Sequence, residues 1–222
     1  MHMDRRQFVK NLGLGTASLS MGSLVTASSC APSGDSSLKQ NVKEGEDGQF
    51  LFIGDDIAIA QTEYGRVQGY LLNHVYTFLG VPYGADTSGK NRFMPPQKPE
   101  PWTDVRPAVF YGNTAPQRME NRWPNNYGTF ADHWNYWDVS EDCLYLNVWT
   151  PGIADGKKRP VLVWLHGGGF TNGSGIEQDG YHGENISREG DIVFCSINHR
   201  LGPIGFSDLS GVGGEAYKDR KS

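Results

Sequence analysis

Residues 161–170 read Val161-Leu162-Val163-Trp164-Leu165-His166-Gly167-Gly168-Gly169-Phe170, five apolar side chains running straight into a histidine and three glycines. A second apolar run, Ile192-Val193-Phe194-Cys195-Ser196-Ile197, stands further along the chain. Neither run alternates polar with apolar. Uninterrupted runs of this kind suit strands buried on both faces, as in a parallel sheet covered by helices. The stretch between them is long enough for a crossover connection.

The chain before these runs has a different texture. Ile57-Ala58-Ile59-Ala60, a turn at Tyr64-Gly65, then Val67 and Tyr70 predict an antiparallel hairpin over residues 56–72. Further strands are expected at residues 75–80 and 144–149. The Pro-rich stretch 92–102 and the Gly- and Lys-containing stretch 151–159 are expected to be irregular. Residues 121–137 are dense in aromatic and polar side chains without a clear period. The fold class that follows is α/β: an incomplete mixed sheet, antiparallel strands first and parallel strands after them. In such a sheet the run 192–197 is expected to be an unpaired, apolar, aggregation-prone edge.

Composition narrows the function classes. Hydrophobic residues make up 37% of the 222 and aromatics 12%, which excludes a disordered, collagen-like or coiled-coil chain. A net charge of −5 argues against a nucleic-acid partner. Three cysteines are too few for a disulfide scaffold. No apolar run reaches the roughly 18 residues of a membrane-spanning helix.

The first 30 residues read as an address. Asp4-Arg5-Arg6-Gln7-Phe8-Val9-Lys10 precedes a mildly apolar stretch rich in Gly, Ser, Thr and Ala, as in a bacterial twin-arginine export signal. Ala27-Ser28-Ser29-Cys30 then resembles a lipoprotein processing site, with Cys30 the residue that takes the lipid; ordinary cleavage near Ala31 is the alternative. The expected location is exported, periplasmic or in the cell envelope, with the membrane met through a lipid at Cys30. Without residues 1–30 the chain holds 17 basic and 24 acidic side chains, a net of −7. Residues 31–49 carry almost no apolar side chains and are expected to act as a flexible tether, leaving 50–222 to fold.

The three glycines carry the chemistry. Placed where a strand ends, they reach backbone conformations closed to other residues and let N–H groups converge without side chains in the way. Acyl transfer needs such a nest, because the carbonyl oxygen gains negative charge as the tetrahedral intermediate forms. A flexible turn is the plain alternative. A phosphate loop is excluded because no Gly-Lys-Ser/Thr follows, and no Gly-x-Gly-x-x-Gly opens a helix after either run. No His-Glu-x-x-His or paired Cys-x-x-Cys supports a metal site.

Several segments, in order, carry a resemblance. They are Gly65-Arg66-Val67-Gln68-Gly69, Phe78-Leu79-Gly80-Val81-Pro82-Tyr83, Arg92-Phe93-Met94-Pro95-Pro96 and Pro101-Trp102. Then follow Ser140-Glu141-Asp142-Cys143-Leu144-Tyr145-Leu146-Asn147-Val148, His166 to Phe170, and Ile197-Asn198-His199-Arg200-Leu201-Gly202-Pro203. Over residues 57–217 the chain resembles the N-terminal part of a type-B carboxylesterase, an α/β-hydrolase family. The resemblance implies hydrolysis of a small carboxylic ester through an acyl-serine intermediate, with no metal and no cofactor. It assigns Gly168 and Gly169 to the oxyanion hole and an ion pair to Arg92 and Glu141. It places the nucleophile in a Gly-x-Ser-x-Gly elbow, followed by an acid and a His. No such elbow lies downstream of His166, and Asn172-Gly173-Ser174-Gly175 lacks the context. The expectation is therefore a chain that ends before the elbow, lacks the triad and turns over nothing alone.

By the same resemblance His166, His199 and Arg200 are structural. Ala115 stands where the cholinesterase branch has a cysteine partner for the position of Cys143, so that disulfide cannot form. Free thiols, or a partner outside this stretch, are expected in preference to a Cys143–Cys195 bond. The rings of Trp123, Tyr127, Phe130, Trp134, Tyr136 and Trp137 either shape an apolar, cation-tolerant entrance or pack their loop. Two other readings stay open: a non-catalytic binding or adhesion protein of the same fold, as neuroligin-like proteins are, and a truncated product without function.

Overall fold

Val75–Pro82 is the longest strand among the described residues, and Val, Tyr, Thr and Phe fit it to a pleated, packed surface. Most of its residues are buried, with Val75 and Thr77 fully so. The computed structural model describes residues 50–118 and 138–218, and this strand is their spine. In chain order the strands are β1 (Leu51–Phe52), β2 (Ile59–Gln61), β3 (Arg66–Gln68), β4 (Tyr70–Leu72) and β5 (Val75–Pro82). They continue with β6 (Arg106–Pro107), β7 (Tyr145–Thr150), β8 (Val161–Trp164) and β9 (Val193–Ile197). Three short helices follow β8 and β9: α1 (Glu184–Gly190), α2 (Gly202–Phe206) and α3 (Ser210–Gly213).

The main sheet runs β1-β4-β5-β7-β9-β8, and a small second sheet runs β2-β3-β6. All neighbours in the main sheet are antiparallel except β8 and β9, which are parallel. The mixed, open α/β sheet expected from the sequence is thus the observed one. The hairpin expected over residues 56–72 divides: β2 and β3 pair antiparallel as expected, but Tyr70 belongs to β4 in the other sheet. Gly69 makes that transfer. A Cβ there would strike the Thr77 carbonyl, so only glycine lets the two sheets approach so closely.

Two expectations are corrected. Among the described residues the edges of the main sheet are β1 and β8, not the run 192–197. The connection through α1 returns β9 to the slot between β7 and β8, where Val148 faces Cys195 on one side and Val163 faces it on the other. Both edges of β9 are therefore filled. The second correction concerns burial. β8, with the sequence of a strand buried on both faces, is exposed along its whole length, from 36% at Trp164 to 63% at Val161.

The crossover is held where β7 meets α1. Trp149 is 1% exposed and packs with Val75, Leu79 and Phe194. His182 sets its ring edge-on to Trp149 at 5.1 Å, and the Ser187 hydroxyl donates to the Trp149 carbonyl at 3.0 Å. Asp191 ends α1 in the left-handed region, with φ 46°. It then accepts from Arg159 at 2.7 Å, which ties the helix end to the loop that leads into β8. These contacts anchor α1 against β7 and the chain that enters β8.

Candidate functional site

The chain leaves β8 at Trp164 and turns back through residues 166–175. Gly168 has φ 118°, Gly169 φ 61° and Phe170 φ 64°. A left-handed conformation at a bulky residue such as Phe170 persists when its surroundings hold it, and the Gly202 N–H donates to the Phe170 carbonyl at 2.7 Å. The Gly168 carbonyl accepts from the Thr171 and Asn172 N–H groups, both at 3.2 Å, and from the Thr171 hydroxyl at 3.1 Å. This tight turn uses up that carbonyl and leaves two amides over. Among the described residues, neither the Gly168 nor the Gly169 N–H has a hydrogen-bond partner. A side chain at Gly168 would run into the Asn172 backbone, whereas Gly169 faces open space.

Beside the loop lies a cavity of about 340 Å³, lined by His166, Phe170, Ile197, His199 and Phe206 among others. Four of its nine lining residues carry rings. His166 and His199 stack face to face, with centroids 4.4 Å apart and planes 2° from parallel. Phe206 meets His199 edge-on at 5.8 Å and Phe170 at 4.8 Å. Each imidazole has its Nδ1 at a backbone carbonyl, His166 at Gly167 and His199 at Arg200, at 2.8 and 2.9 Å. Two donors without partners among the described residues, in a loop beside an apolar chamber, suit a small ligand with a negatively polarised oxygen.

The loop stands in a polar frame. Arg92 Nε donates to Glu141 Oε2 at 2.7 Å, and the Thr87 hydroxyl donates to the Glu141 carbonyl. Arg200 is 1% exposed and donates to the Met94 carbonyl at 2.8 Å, joining the Pro-rich stretch to the end of β9. Asp142 accepts from the Tyr145 hydroxyl at 2.8 Å, so adjacent carboxylates serve separate partners.

A model of the carboxylesterase family matches residues 56–214, well over half of the chain. The chain belongs to the carboxylesterase family. It is 45% identical over 157 residues to a phenmedipham hydrolase of Pseudarthrobacter oxydans, a match that covers 71% of this chain and 30% of that protein. It is 39% identical over 164 residues to a para-nitrobenzyl esterase of Bacillus subtilis, covering 72% and 31%. Among solved structures, an esterase of Clostridium hathewayi that hydrolyses aliphatic aromatic polyesters superposes with a TM-score of 0.67 at 38% identity, covering 77% of this chain and 32% of that one. The fold is that of the α/β-hydrolases. The chain spans about 30% of the length of the relatives it matches.

In this carboxylesterase-family chain the structure gathers Gly168, Gly169, His166 and His199 at one place and sets the Arg92–Glu141 pair in the supporting frame. Cys143 and Cys195 are both free. Cys143 packs in a buried cluster with Ala115, Leu144 and Leu201, and burial pushes its thiol up to about 12. Cys195 is pushed up to about 11, again by burial. Cys30 and the rings of Trp123, Tyr127, Phe130, Trp134, Tyr136 and Trp137 lie outside the described residues. Among the described residues no group of three or more His, Cys, Asp or Glu could hold a metal ion. Two residues that hydrogen-bond the loop were not singled out by sequence. Gln117 pairs with Gly173 in both directions, accepting at 2.8 Å and donating at 2.9 Å. Asn198 accepts from the Gly175 N–H at 2.8 Å and donates to the Asn113 carbonyl at 2.9 Å. Both are carboxamides, able to donate and accept at once, which is the signal that could have flagged them.

Proposed function

We propose that this chain forms the N-terminal, oxyanion-stabilising portion of a carboxylic ester hydrolase that works through an acyl-serine intermediate. The observation that carries the reading is the pair of N–H groups at Gly168 and Gly169, without partners among the described residues, beyond the end of β8 in a chain of this family. When a nucleophile adds to an ester carbonyl, charge develops on the oxygen, and donors already in place stabilise it without reorganising. Each such donor contributes about 2.7–4 kcal/mol to the transition state. The substrate class is a small carboxylic ester. On this reading the serine nucleophile, the acid and the histidine are not among these 222 residues, and the chain alone turns over no ester.

The 222-residue chain, treated with a fluorophosphonate probe and with para-nitrophenyl acetate, is expected to show neither serine labelling nor hydrolysis. Labelling would overturn the reading that the nucleophile lies elsewhere. A chimaera in which residues 56–214 replace the matching segment of the Bacillus para-nitrobenzyl esterase is expected to hydrolyse esters. A folded chimaera that does not would overturn the catalytic reading itself.

Residues 1–30 are, in the same proposal, a twin-arginine export signal with Cys30 as the lipidated residue, and residues 31–49 a tether to the folded part. Mass spectrometry of the envelope fraction should find a diacylglyceryl adduct on Cys30. A mature chain that starts downstream of Cys30 would remove the anchor from the proposal.

A further inference from the structure

The glycine loop does not hold itself. Its outgoing limb turns on the Gly168 carbonyl, but its return limb, residues 173–175, is secured by side chains from elsewhere. The Gly173 N–H donates to Gln117 Oε1 at 2.8 Å, and Gln117 Nε2 donates back to the Gly173 carbonyl at 2.9 Å. That is the two-way exchange of a strand ladder, supplied by one carboxamide. Gly173 in turn lies against the inner part of the loop. A Cβ there would strike the Gly167 carbonyl and approach His166 Nδ1 to 2.5 Å. A shift of Gly173 is therefore passed directly to Gly167 and on to the two free amides.

The far end of this connection is rigid. Thr114 is fully buried, its N–H donates to the Asp138 carbonyl at 2.8 Å, and its carbonyl accepts from the Ser140 N–H at 2.9 Å. Asn113 Nδ2 donates to the Asp142 carbonyl at 2.9 Å, and Ala115 is 2% exposed in the cluster with Cys143. Gln117 thus reaches the loop from a platform that the Glu141–Cys143 segment already fixes.

We infer that Gln117 is a positioning residue: through Gly173 it sets the direction of the Gly168 and Gly169 amides. The inference builds on the oxyanion reading of that loop. Only a side chain that donates and accepts together can hold both polar groups of Gly173. Leucine holds neither. An ionised glutamate keeps the N–H bond but turns a second acceptor on the Gly173 carbonyl, whereas a protonated one restores the donor.

The test is amide NMR on the full chain labelled with [15N]glycine, recorded at pH 7 and pH 4 with the parent protein as control at both. In the parent, the Gly173 N–H should exchange at least roughly tenfold more slowly than those of Gly168 and Gly169. Gln117→Leu should abolish that protection and move the Gly168 and Gly169 resonances. Gln117→Glu should keep the Gly173 protection at pH 7 yet move the Gly168 and Gly169 resonances, and return to the parent spectrum at pH 4, below the carboxyl pKa of about 4.3 or higher expected there. Equal exchange at Gly173 and Gly168 in the parent would overturn the inference, and needs no variant to fold. Unmoved Gly168 and Gly169 resonances in a folded Gln117→Leu, or a Gln117→Glu spectrum that does not respond to pH, would do so as well. Titrating the parent with sodium acetate reads the oxyanion role separately. Resonances that respond to Gln117→Leu but not to acetate would leave the positioning intact and remove the anion site.

Discussion

Gly168 and Gly169 are chemically identical and physically unlike. The first has φ 118° and no room for a methyl group against Asn172; the second has φ 61° and open space around it. Gly169→Ala should cost about 1–2 kcal/mol, the strain of a left-handed alanine. Gly168→Ala adds a clash with backbone and should cost about 3 kcal/mol or more. Urea unfolding of both variants checks the order, and equal costs would show that the loop relaxes freely around Gly168. The cysteines offer a second test at this scale. With the Cys143 and Cys195 thiols at about 12 and about 11, almost no thiolate exists at pH 8. Ellman's reagent should leave both untouched in the folded chain and react with them on unfolding. Rapid reaction of the native protein would contradict their placement in the core. The sequence named the glycines because three in a row have few uses after an apolar run. It gave no role to Gln117 or Asn198, because their partners are 56 and 23 residues away and no local pattern records such a distance.

At the level of elements, α1 and the turn before it couple the fold to pH. Burial, first of all, pushes the His182 imidazole below its ordinary value, while the nearby Glu184 and Asp179 partly oppose that. The unfolded chain therefore takes up this proton before the folded one does. Stability is full above the unfolded value of about 6.5 and falls as pH drops below it, levelling off once the depressed folded value is passed. His182→Gln should flatten that part of the profile, seen as a smaller difference in unfolding free energy between pH 7.5 and pH 5 than in the parent. An unchanged difference would place the pH dependence elsewhere. The existence of β5, β7 and β9 was readable from local composition, and so was the β2–β3 hairpin. Which strand lies at the rim was not. Pairing order depends on where a crossover lands, and β9 lands inside β8 for reasons of packing around Trp149 and Phe194.

For the molecule as a whole, the open rim at β8 is the dominant physical fact. Val161 and Val163 are 63% and 53% exposed on a strand with one side unpaired among the described residues, and Leu165 just past its end is 64% exposed. Such an edge templates further pairing. The full chain should self-associate with rising concentration, and Val163→Lys should reduce this, as charged residues do on natural edge strands. Sedimentation velocity across a concentration series would show it; a parent that stays monomeric throughout would mean the rim is already covered. The tethers on the glycine loop have a consequence of another kind. Phe170 is bound to Gly202, Gly173 to Gln117 and Gly175 to Asn198, so three anchor points arrive from two separate stretches of chain at fixed intervals along one short loop. The count of residues between them is therefore as constrained as their identity. Inserting a single alanine between Phe170 and Gly173 would put every later anchor out of step, whereas the same insertion near Gly156, where no neighbour crowds the backbone, should pass unnoticed. The loop behaves as a ruler, and its length is part of its chemistry.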